Sequence, residues 1–502
     1  MSSLLDPDAC YRAIQTKDVR FDGRIFIAVR TTGIFCRPIC PAQTPKRENC
    51  TFFASAAAAS EAGFRPCLRC RPELSPNLFA LVGTASTVSR SLRLIAEGAL
   101  DDGTVGELAA RVGVGDRHLR QLFAKHLGTS PRAVAQTRRL LFAKQLLNET
   151  SLSITDVAMA AGFSSIRRFN AVIHKTYQRS PSELRSAQTK LGDATKTPEI
   201  TLKLPFSSPY NWSAFVRFLS ARVTPGLESV GSDFYRRAIS LDGMHGVVEV
   251  RPVKEQHYLL ASIRFPKVAL LGQIVERLRR MFDLDANVAE IITHLRCDRI
   301  LRPAIAALPG LRVPGTWDSF ELAVRAILGQ QISVAAATTL AGRLVEAYGE
   351  RLVIEGMSGK ESDLRFVFPQ PEILANADLT SIGITRSRAF AITSLATAVA
   401  QDSQILTNFQ NLDDAVQKLS KLPGIGEWTA QYIAMRALRE PDSFPATDLG
   451  LLRAMEKLGH PVTKTQLLDV SQAWRPWCAY AAMFLWSSLD STLLSMQEEL
   501  SA

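Results

Sequence analysis

The chain has 502 residues, of which 46% are hydrophobic, and this length allows roughly three or four domains with buried cores. It has no run of about 18 uncharged apolar residues, so we expect no membrane span. Its first residues are too acidic for a signal peptide, which favours a cytoplasmic protein with reduced cysteines. The net charge is +11. Residues 1–190 hold 27 Lys and Arg against 15 Asp and Glu, and a basic folded segment indicates an anionic partner, most often nucleic acid.

Composition divides the chain into four segments and one linker, and it predicts a multidomain protein that is mainly α with α+β parts. Cysteines concentrate in the small first segment, and spaced apolar positions predict helices in the second and fourth. Short alternating runs predict strands in the third segment, which we expect to be α+β. The predicted divisions are a cysteine-rich domain at 1–80, an all-α domain at 85–185, a polar linker at 186–199, an α+β domain at 200–285 and an all-α domain at 286–497.

Two close cysteine pairs stand out in the first segment. They are Cys36-x3-Cys40 and Cys67-x2-Cys70, with 26 residues between the pairs. Each pair can supply two thiolates to one tetrahedral ion, so the spacing predicts a zinc site, and four-thiolate sites typically only stabilise a fold. A disulfide framework is disfavoured in a reducing compartment. Cys10 and Cys50 lie outside the pairs and are expected to be small buried residues or free thiols.

The residues around the cysteines allow a more specific prediction. IAVRTTGIFCRPIC (27–40), REN (47–49) and GFRPCLRC (63–70) resemble the N-terminal domain of the adaptive-response (Ada) DNA methyl-phosphotriester methyltransferases. The resemblance covers most of 8–75 and implies zinc bound by all four cysteines.

In that family one zinc-bound thiolate accepts a methyl group from a methylated DNA phosphate, and the matching residue is Cys36. Methylation would remove one negative charge and strengthen DNA binding. The resemblance also places Thr32 and Arg65 near DNA phosphates, whereas Gln43 stands where the family can carry an Arg. A purely structural zinc site remains the alternative.

The second segment contains one pattern twice, a helix, a Gly-containing turn and a second helix. The copies are TVGELAARVGVGDRHLRQLFAKHLG (104–128) and ITDVAMAAGFSSIRRFNAVIHKTY (154–177). Side chains able to reach phosphates and base edges lie on both second helices. They are Arg117, His118, Arg120 and Gln121 in one copy, and Ser165, Arg167, Arg168 and Asn170 in the other. Two ordinary helical hairpins with solvated arginines are the alternative.

Residues 90–185 also resemble the AraC-type regulator domain, including its AGF and SP (180–181) signatures. The resemblance implies a tandem helix-turn-helix domain that binds promoter DNA, with RNA polymerase as a further candidate partner.

A tight turn in the fourth segment, LPGIGEWTAQY (422–432), predicts a helix-hairpin-helix. Gly424 and Gly426 let the backbone approach a ligand, and the following helix start offers unpaired N–H groups to a phosphate. Such a hairpin holds the DNA backbone without reading its sequence. In FPATDLGLLR (444–453), Asp448 lies at the apparent start of a helix. It is either an N-cap or a carboxylate that faces the sugar of an extruded nucleotide.

With these motifs, NWSAFVRFLSAR (211–222) and FELAVRAILGQQISVAAA (320–337) resemble the type II (AlkA) class of helix-hairpin-helix 3-methyladenine DNA glycosylases over about 201–490. The resemblance implies that Asp448 is the essential aspartate. It also implies a pocket for the extruded base, formed by Phe218, Trp428, Tyr432 and Trp486. A cationic base prefers aromatic faces, although each aromatic could instead pack in a core.

Three positions differ from the wider superfamily or from well-known members of the class. Trp428 stands where strand-cutting relatives carry a Schiff-base lysine, so a monofunctional enzyme is expected. Gln331 replaces a leucine wedge, and Leu449 follows the aspartate in place of an aromatic.

Cys297 and Cys478 have no adjacent histidine and are expected to be core thiols.

The sequence therefore predicts a DNA alkylation repair protein with zinc as cofactor and double-stranded DNA, both damaged and promoter, as partner. It would hydrolyse the N-glycosidic bond of alkylated purines such as 3-methyladenine. It would also accept a methyl group on Cys36 and thereby activate transcription. We expect a monomer. The alternative is a DNA-binding regulator whose glycosylase-like half is not catalytic.

Overall fold

The computed structural model describes residues 6–76, 87–185, 199–353 and 363–489. The predicted linker at 186–199 lies outside these ranges, apart from its last residue. None of the helices in the described ranges is long and apolar enough to span a membrane.

The first part of the chain forms a four-stranded sheet with strand order β3-β1-β2-β4. Its elements are α1 (Pro7–Gln15), β1 (Phe26–Val29), β2 (Ile34–Cys36), β3 (Cys50–Phe53), α2 (Ala56–Glu61) and β4 (Arg65–Pro66). Strand β4 runs parallel to β2, whereas β1 is antiparallel to both of its neighbours. Because Ile34 pairs with Arg65 and Phe35 with Pro66, the parallel register brings Cys36 beside Cys67. The sheet thus unites the two cysteine pairs.

Residues 87–185, the described range of the second part, form seven helices. They are α3 (Thr87–Ala96), α4 (Val105–Arg111), α5 (Asp116–Leu127), α6 (Pro131–Glu149), α7 (Ile154–Ala160), α8 (Ile166–Tyr177) and α9 (Pro181–Leu184). The pairs α4–α5 and α7–α8 are the two predicted helix-turn-helix units. Each turn contains a glycine in the left-handed region, Gly113 at φ 76° and Gly162 at φ 80°, where other residues are strained.

A five-stranded antiparallel sheet with strand order β5-β9-β8-β7-β6 follows. Its elements are β5 (Ile200–Pro205), α10 (Trp212–Ser220), β6 (Glu228–Val230), β7 (Tyr235–Leu241), β8 (Met244–Pro252) and β9 (Tyr258–Arg264). Strand β9 alternates buried and half-buried residues along its length, as expected of a sheet packed on one face. Two of the alternating runs that predict strands in this segment are GVVEVRPV (246–253) and HYLLASIRF (257–265), and they overlap with β8 and β9.

The described residues after β9 are mainly helical. Its helices are α11 (Leu271–Met281), α12 (Val288–Leu295), α13 (Arg302–Ala307), α14 (Ser319–Leu328), α15 (Val334–Tyr348), α16 (Pro371–Leu374), α17 (Arg386–Gln401), α18 (Leu412–Leu419), α19 (Glu427–Ile433), α20 (Leu449–Lys457), α21 (Lys464–Ser471) and α22 (Cys478–Ser488). A π-helical turn, Ala434–Leu438, continues α19. Short 3₁₀ turns lie at Val19–Phe21, Arg47–Asn49, Pro72–Leu74, Val268–Leu270, Leu379–Ile382 and Gln472–Trp474.

The second helix-turn-helix unit and the five-stranded sheet share one continuous hydrophobic core, whose buried residues lie between Leu140 and Trp317 in the sequence. Polar contacts also connect these parts of the chain. Glu149, at the end of α6, accepts hydrogen bonds from Arg71 (2.8 Å) and from the backbone N–H of Lys203 (3.0 Å). Glu149 thereby links the cysteine-rich part, the helical part and strand β5.

Candidate active site and metal centre

The sulfur atoms of the two cysteine pairs converge. Cys36, Cys40, Cys67 and Cys70 place their Sγ atoms within 4.8 Å of one another. Four sulfurs bound at about 2.3 Å around a tetrahedral Zn²⁺ lie about 3.8 Å apart, so this donor set fits zinc. The backbone N–H of Arg37 also donates to Sγ of Cys70 over 3.3 Å, and such donation stabilises a thiolate.

The four thiols are not electrostatically equivalent. The Cys36 thiol is the largest cause of the lowered pKa of Cys40 (about 7) and of Cys67, whereas hydrogen bonds with the neighbouring thiols raise the pKa of Cys36 and of Cys70. A lowered pKa favours the thiolate, which is the form that binds metals. Cys67 and Cys70 are buried, whereas Cys36 and Cys40 are half-buried. Accessibility therefore separates one pair from the other, but it does not single out Cys36 from Cys40.

A buried ion pair between Arg37 and Asp22 lies beside the four cysteines. The Arg37 guanidinium donates to both carboxylate oxygens of Asp22, with Nε 2.8 Å from Oδ1, and it also reaches the carbonyl oxygen of Cys70 at 3.2 Å. The Asp22 side chain is 3% exposed. A charge that is so buried needs a partner, so Arg37 fixes the loop between the first two cysteines.

The two residues predicted to lie near DNA phosphates are neighbours. Thr32 is in the exposed turn between β1 and β2, and its hydroxyl donates to the carbonyl oxygen of Val29. Arg65 begins β4, and its backbone N–H donates to the carbonyl oxygen of Gly33 over 2.9 Å. Both residues therefore lie at the same end of the small sheet.

The helix-turn-helix units present their second helices to solvent. Arg117 and His118 on α5 are exposed, as are Gln121, Arg167, Arg168 and Asn170. Arg120 is exposed too, but it pairs with Asp116 one turn earlier at 2.8 Å. Ser165 is the N-cap of α8 and accepts from the backbone N–H of Arg168. Its hydroxyl is thus engaged in holding the helix start.

Asp448 occupies the N-cap of α20 and also faces two indoles. Its Oδ1 accepts the backbone N–H of Leu451 at 3.0 Å and Nε1–H of Trp486 at 2.9 Å. Its Oδ2 accepts Nε1–H of Trp428 at 2.8 Å. Asp448 is therefore both the N-cap of α20 and a neighbour of the aromatic residues. Three donors fix the carboxylate in one orientation.

The aromatic residues predicted to form a pocket lie around this carboxylate. Trp428 and Tyr432 stack with ring centroids 5.3 Å apart and an angle of 8° between the planes. Trp486 meets Tyr432 nearly edge-on at 6.4 Å. Phe218 joins them through Arg436, whose Cζ lies 5.0 Å from the Phe218 ring and 5.5 Å from the Tyr432 ring. All four rings are half-buried, as expected of a cleft wall.

Sequence patterns did not reveal several residues that shape this cleft. A Cβ at Gly450 would lie 2.8 Å from Oδ1 of Asp448, so only glycine fits there without movement. Arg436 donates to the hydroxyl of Tyr432 over 2.7 Å, and Arg222 stacks on Phe218 at 3.8 Å. Arg222 and Phe218 are four residues apart on and just beyond α10, a spacing that could have drawn attention to Arg222.

The predicted hairpin connects α18 to α19. Gly424 has a φ of 76°, and a Cβ there would lie 2.3 Å from Cβ of Ala391, so glycine is required. Gly426 is the exposed N-cap of α19. Gln330 donates to the carbonyl oxygen of Gly424 over 2.8 Å. This hydrogen bond connects the hairpin to the wedge loop, the loop that contains the predicted wedge position Gln331. Gln331 in that loop is exposed and has a φ of 58°, in the left-handed region.

The unpaired cysteines differ from one another in burial. Cys10, Cys50 and Cys478 are buried, as expected. The prediction of a core thiol is wrong for Cys297, which is exposed. It follows α12, and its thiol donates to the carbonyl oxygen of Thr293, so the helix end rather than a core surrounds it.

Family models match four consecutive stretches of the chain. They are the metal binding domain of Ada at 9–73, a helix-turn-helix domain at 108–187, the AlkA N-terminal domain at 201–318, and the HhH-GPD superfamily base excision DNA repair protein at 324–478. The fold and the sites thus define a base-excision repair protein that carries a regulator-like N-terminal half.

The relatives give the particular family. The chain is 39% identical over 487 residues to the probable bifunctional transcriptional activator/DNA repair enzyme AlkA of Mycobacterium tuberculosis. The aligned residues cover 97% of each of the two chains. It is 32% identical to DNA-3-methyladenine glycosylase 2 of Escherichia coli, over 56% of this chain and 95% of that one. The Escherichia coli activator/repair enzyme Ada is 35% identical over 32% of this chain and 44% of its own.

The chain therefore belongs to the family of bifunctional transcriptional activator/DNA repair enzymes AlkA. This confirms the predicted resemblance, the multidomain fold class and, together with the cysteine cluster, the zinc cofactor.

Proposed function

We propose that the chain is a monofunctional DNA glycosylase that hydrolyses the N-glycosidic bond of alkylated purines such as 3-methyladenine. One observation carries this proposal. The Asp448 carboxylate is held by the indoles of Trp428 and Trp486 at the wall of an aromatic cleft. A carboxylate that only capped a helix would need neither indole donor.

The chemistry follows from the charge of the leaving group. Alkylation at a ring nitrogen makes the purine cationic, so the base departs with little acid assistance. The site must then stabilise an oxocarbenium-like sugar and orient a water molecule, and a fixed carboxylate can do both. The stacked rings of Trp428 and Tyr432 offer electron-rich faces to the cation. The nucleotide must first leave the base stack to reach them.

The hairpin and the wedge loop would hold the DNA during this step. The exposed backbone at Gly424 and Gly426 leads into the start of α19, where N–H groups can bind a phosphate. Gln331 lies in the loop tied to that hairpin and would occupy the gap left by the extruded base. Trp428 at the Schiff-base position supports a glycosylase without strand cleavage.

Base release from methylated duplex DNA tests this assignment. We expect the full chain to release 3-methyladenine and Asp448→Asn to lose about 10²–10⁴-fold in rate. Asn remains a good N-cap, so thermal unfolding should change little. If the wild type released no base, the chain would be a regulator with a non-catalytic half.

We further propose that the N-terminal half senses methylated DNA. Bound Zn²⁺ would keep the four sulfurs as thiolates, which are nucleophilic at neutral pH. Cys36 would accept a methyl group from a phosphotriester, while Thr32 and Arg65 would bind neighbouring phosphates. Loss of one negative charge would then strengthen binding of promoter DNA by Arg117, Arg120, Arg167 and Arg168.

Peptide mass spectrometry after exposure to methylated DNA tests this second activity. One added methyl group is expected on Cys36, and none on the whole chain of Cys36→Ser. A methyl group on Cys40 instead would reassign the acceptor, which accessibility alone leaves open. No methylation in the wild type would leave a structural zinc site.

A further inference from the structure

Helix α3 of the regulator-like half contacts the glycosylase half, which begins at β5, through one side of the helix. The side chains concerned are Arg90, Arg93 and Glu97, and their spacing of three and four residues places them on the same side. The opposite side of α3 is buried in a hydrophobic core that α5 shares, and its residues there are Val88, Leu92 and Ile95. Helix α3 therefore lies between the first helix-turn-helix unit and the glycosylase half.

The contacts of α3 reach both helices of the hairpin. Arg90 donates to the carbonyl oxygen of Phe409, which lies three residues before α18 begins. Nη1 of Arg93 donates to the carbonyl oxygen of Leu438 over 3.1 Å, at the end of the π-helical turn that continues α19. Because α18 and α19 are joined by the hairpin, α3 holds the entry to the first helix and the end of the second.

Arg280 on α11 adds a second contact at the end of the same helix. Its Nη1 lies 2.6 Å from Oε1 of Glu97, and its Nη2 donates to the carbonyl oxygen of Ala437 over 3.2 Å. The last carbonyl groups of a helix have no partner within the helix, and the helix dipole favours cations at that end. Arg93 and Arg280 therefore satisfy two adjacent carbonyl groups where the π-helical turn ends.

Helix α19 in turn orients the carboxylate of Asp448. Trp428, the second residue of α19, donates to Oδ2 of Asp448 over 2.8 Å. Further along α19, Oε1 of Gln431 accepts from the hydroxyl of Ser443 (2.7 Å) and from the backbone N–H of Phe444 (3.1 Å). These bonds hold the segment that leads from the π-helical turn to Asp448. A displacement of α19 would therefore move both the indole donor and this segment.

We propose that Arg93 is a positioning residue for base excision, which the regulator-like half contributes to the glycosylase half. By holding the carbonyl group of Leu438, Arg93 fixes the helix that carries Trp428, and thereby fixes the orientation of Asp448. The assignment rests on the proposed glycosylase function, because it concerns the rate of that reaction. Since α3 also shares a core with α5, the two halves do not act independently, and a displacement of α3 alters base release.

Single-turnover release of 3-methyladenine from methylated duplex DNA by the full chain tests the assignment. Arg93→Met keeps the aliphatic stem and removes the donors. We expect the rate at saturating DNA to fall about 10–100-fold, because small displacements of catalytic groups are costly. The half-saturating DNA concentration should change less than about 3-fold, since the DNA contacts are retained. Arg93→Lys keeps a donor for Leu438 and should recover most of the rate.

Arg139→Met is the matched control within the regulator-like half. Nε of Arg139 donates to Oδ1 of Asp101 over 2.8 Å, and the Arg139 side chain is 12% exposed. Both partners of this ion pair belong to the helical part, so its loss affects the stability of that part without reaching α19. We expect Arg139→Met to release base at the wild-type rate per folded molecule.

Hydrogen exchange gives a second readout, at the end of the π-helical turn. The backbone N–H of Glu440 donates to the carbonyl oxygen of Ala434 over 3.0 Å, two residues beyond Leu438. It should exchange faster in Arg93→Met than in the wild type, and at the wild-type rate in Arg139→Met. Glu97→Gln releases Arg280 from α3 and should change exchange and base release in the same direction. This variant keeps the test decisive if Arg93→Met does not fold.

The inference would be overturned by a wild-type rate in Arg93→Met, by an equal loss in Arg139→Met, or by a change confined to the half-saturating DNA concentration. If Arg93→Met does not fold, unchanged exchange and base release in Glu97→Gln would overturn it. Each of these results leaves the proposed glycosylase intact. Release of no base by the wild type would instead refute the proposed function, and this inference with it.

Discussion

Nε1 of Trp428 lies 2.8 Å from Oδ2 of Asp448, although the two residues are 20 positions apart and belong to different helices. Trp486, on α22, makes the matching contact, and its Nε1 lies 2.9 Å from Oδ1 of Asp448. The carboxylate is thus fixed between two indoles that also line the cleft. Under the proposed function, Trp428 and Trp486 would each have two functions, to bind the base with the ring face and to orient the aspartate with the N–H group.

Substituting either indole by phenylalanine separates these two functions. Trp428→Phe and Trp486→Phe each keep an aromatic face but remove one hydrogen bond to a charged acceptor, which contributes about 1.5–3 kcal/mol. We expect each variant to release 3-methyladenine about 10–100-fold more slowly, mostly through kcat. Single-turnover rates with methylated DNA measure the effect.

Trp474→Phe is the control for that experiment, because Trp474 is fully buried and its Nε1 has no hydrogen-bond partner in the described chain. It should lose stability at most and retain the rate per folded molecule. Unchanged rates in both pocket variants would show that the indole donors do not orient Asp448.

The Arg37–Asp22 pair predicts a stability effect near the metal centre. Arg37→Ala would leave the Asp22 carboxylate buried without its cation, which costs about 3–5 kcal/mol. We expect the cysteine-rich part to bind zinc more weakly and to become sensitive to protease. A zinc competition assay with a colorimetric chelator would measure the loss.

Arg20→Ala is a suitable comparison, because the Arg20 side chain is 75% exposed in its pair with Asp18. Exposed pairs contribute about 0–1 kcal/mol, so zinc affinity should hardly change. Equal behaviour of the two variants would contradict the role assigned to Arg37.

Local patterns predicted those elements whose determinants lie close together in sequence. Each cysteine pair spans only four or five residues, and Gly424 and Gly426 share one turn, so local spacing indicated a zinc site and a hairpin. The contacts of Asp448 with Trp428 and Trp486 depend on how distant helices pack, and only the resemblance to a family indicated that these residues meet. Packing also decides burial, which is why the prediction failed for Cys297 at the end of a helix.

The same reasoning explains why Arg436 was not predicted. Its position depends on a π-helical turn, which no periodic pattern in the sequence marks. The shared core between the second helix-turn-helix unit and the five-stranded sheet was also not foreseen, since each set of apolar residues is compatible with a separate domain.

The Glu149 junction predicts a local opening between the parts of the chain. Glu149→Gln removes the charge that pairs with Arg71, which should cost about 1.5–3 kcal/mol, and weakens the acceptor for the backbone N–H of Lys203. We expect faster hydrogen exchange in β5 at Lys203, with base release unchanged. Glu346→Gln, in a pair whose side chains are 56% and 62% exposed, is the control. No change in exchange would show that Glu149 does not hold the junction.

Glu276 on α11 predicts a dependence of stability on pH. It lines a cavity of about 320 Å³ between the helix-turn-helix part and the glycosylase part. Burial, and then Asp285, raises its pKa to about 7, although Arg279 and Arg138 oppose the shift. The unfolded chain has an ordinary glutamate pKa of about 4.3. Between these values the folded state binds the additional proton, so stability falls as pH rises from about 4.3 to 7.

Glu276→Gln removes this titration, because the amide mimics the protonated acid. We expect similar free energies of unfolding for wild type and variant at pH 5, and a larger free energy of unfolding for the variant at pH 8, by on the order of 1–3 kcal/mol. Urea unfolding followed by tryptophan fluorescence at both pH values measures the difference. Glu290→Gln, at a side chain that is 40% exposed, should show no such dependence. A constant difference between wild type and Glu276→Gln at both pH values would mean that Glu276 does not titrate in this range, and that its neighbouring arginines keep it ionised.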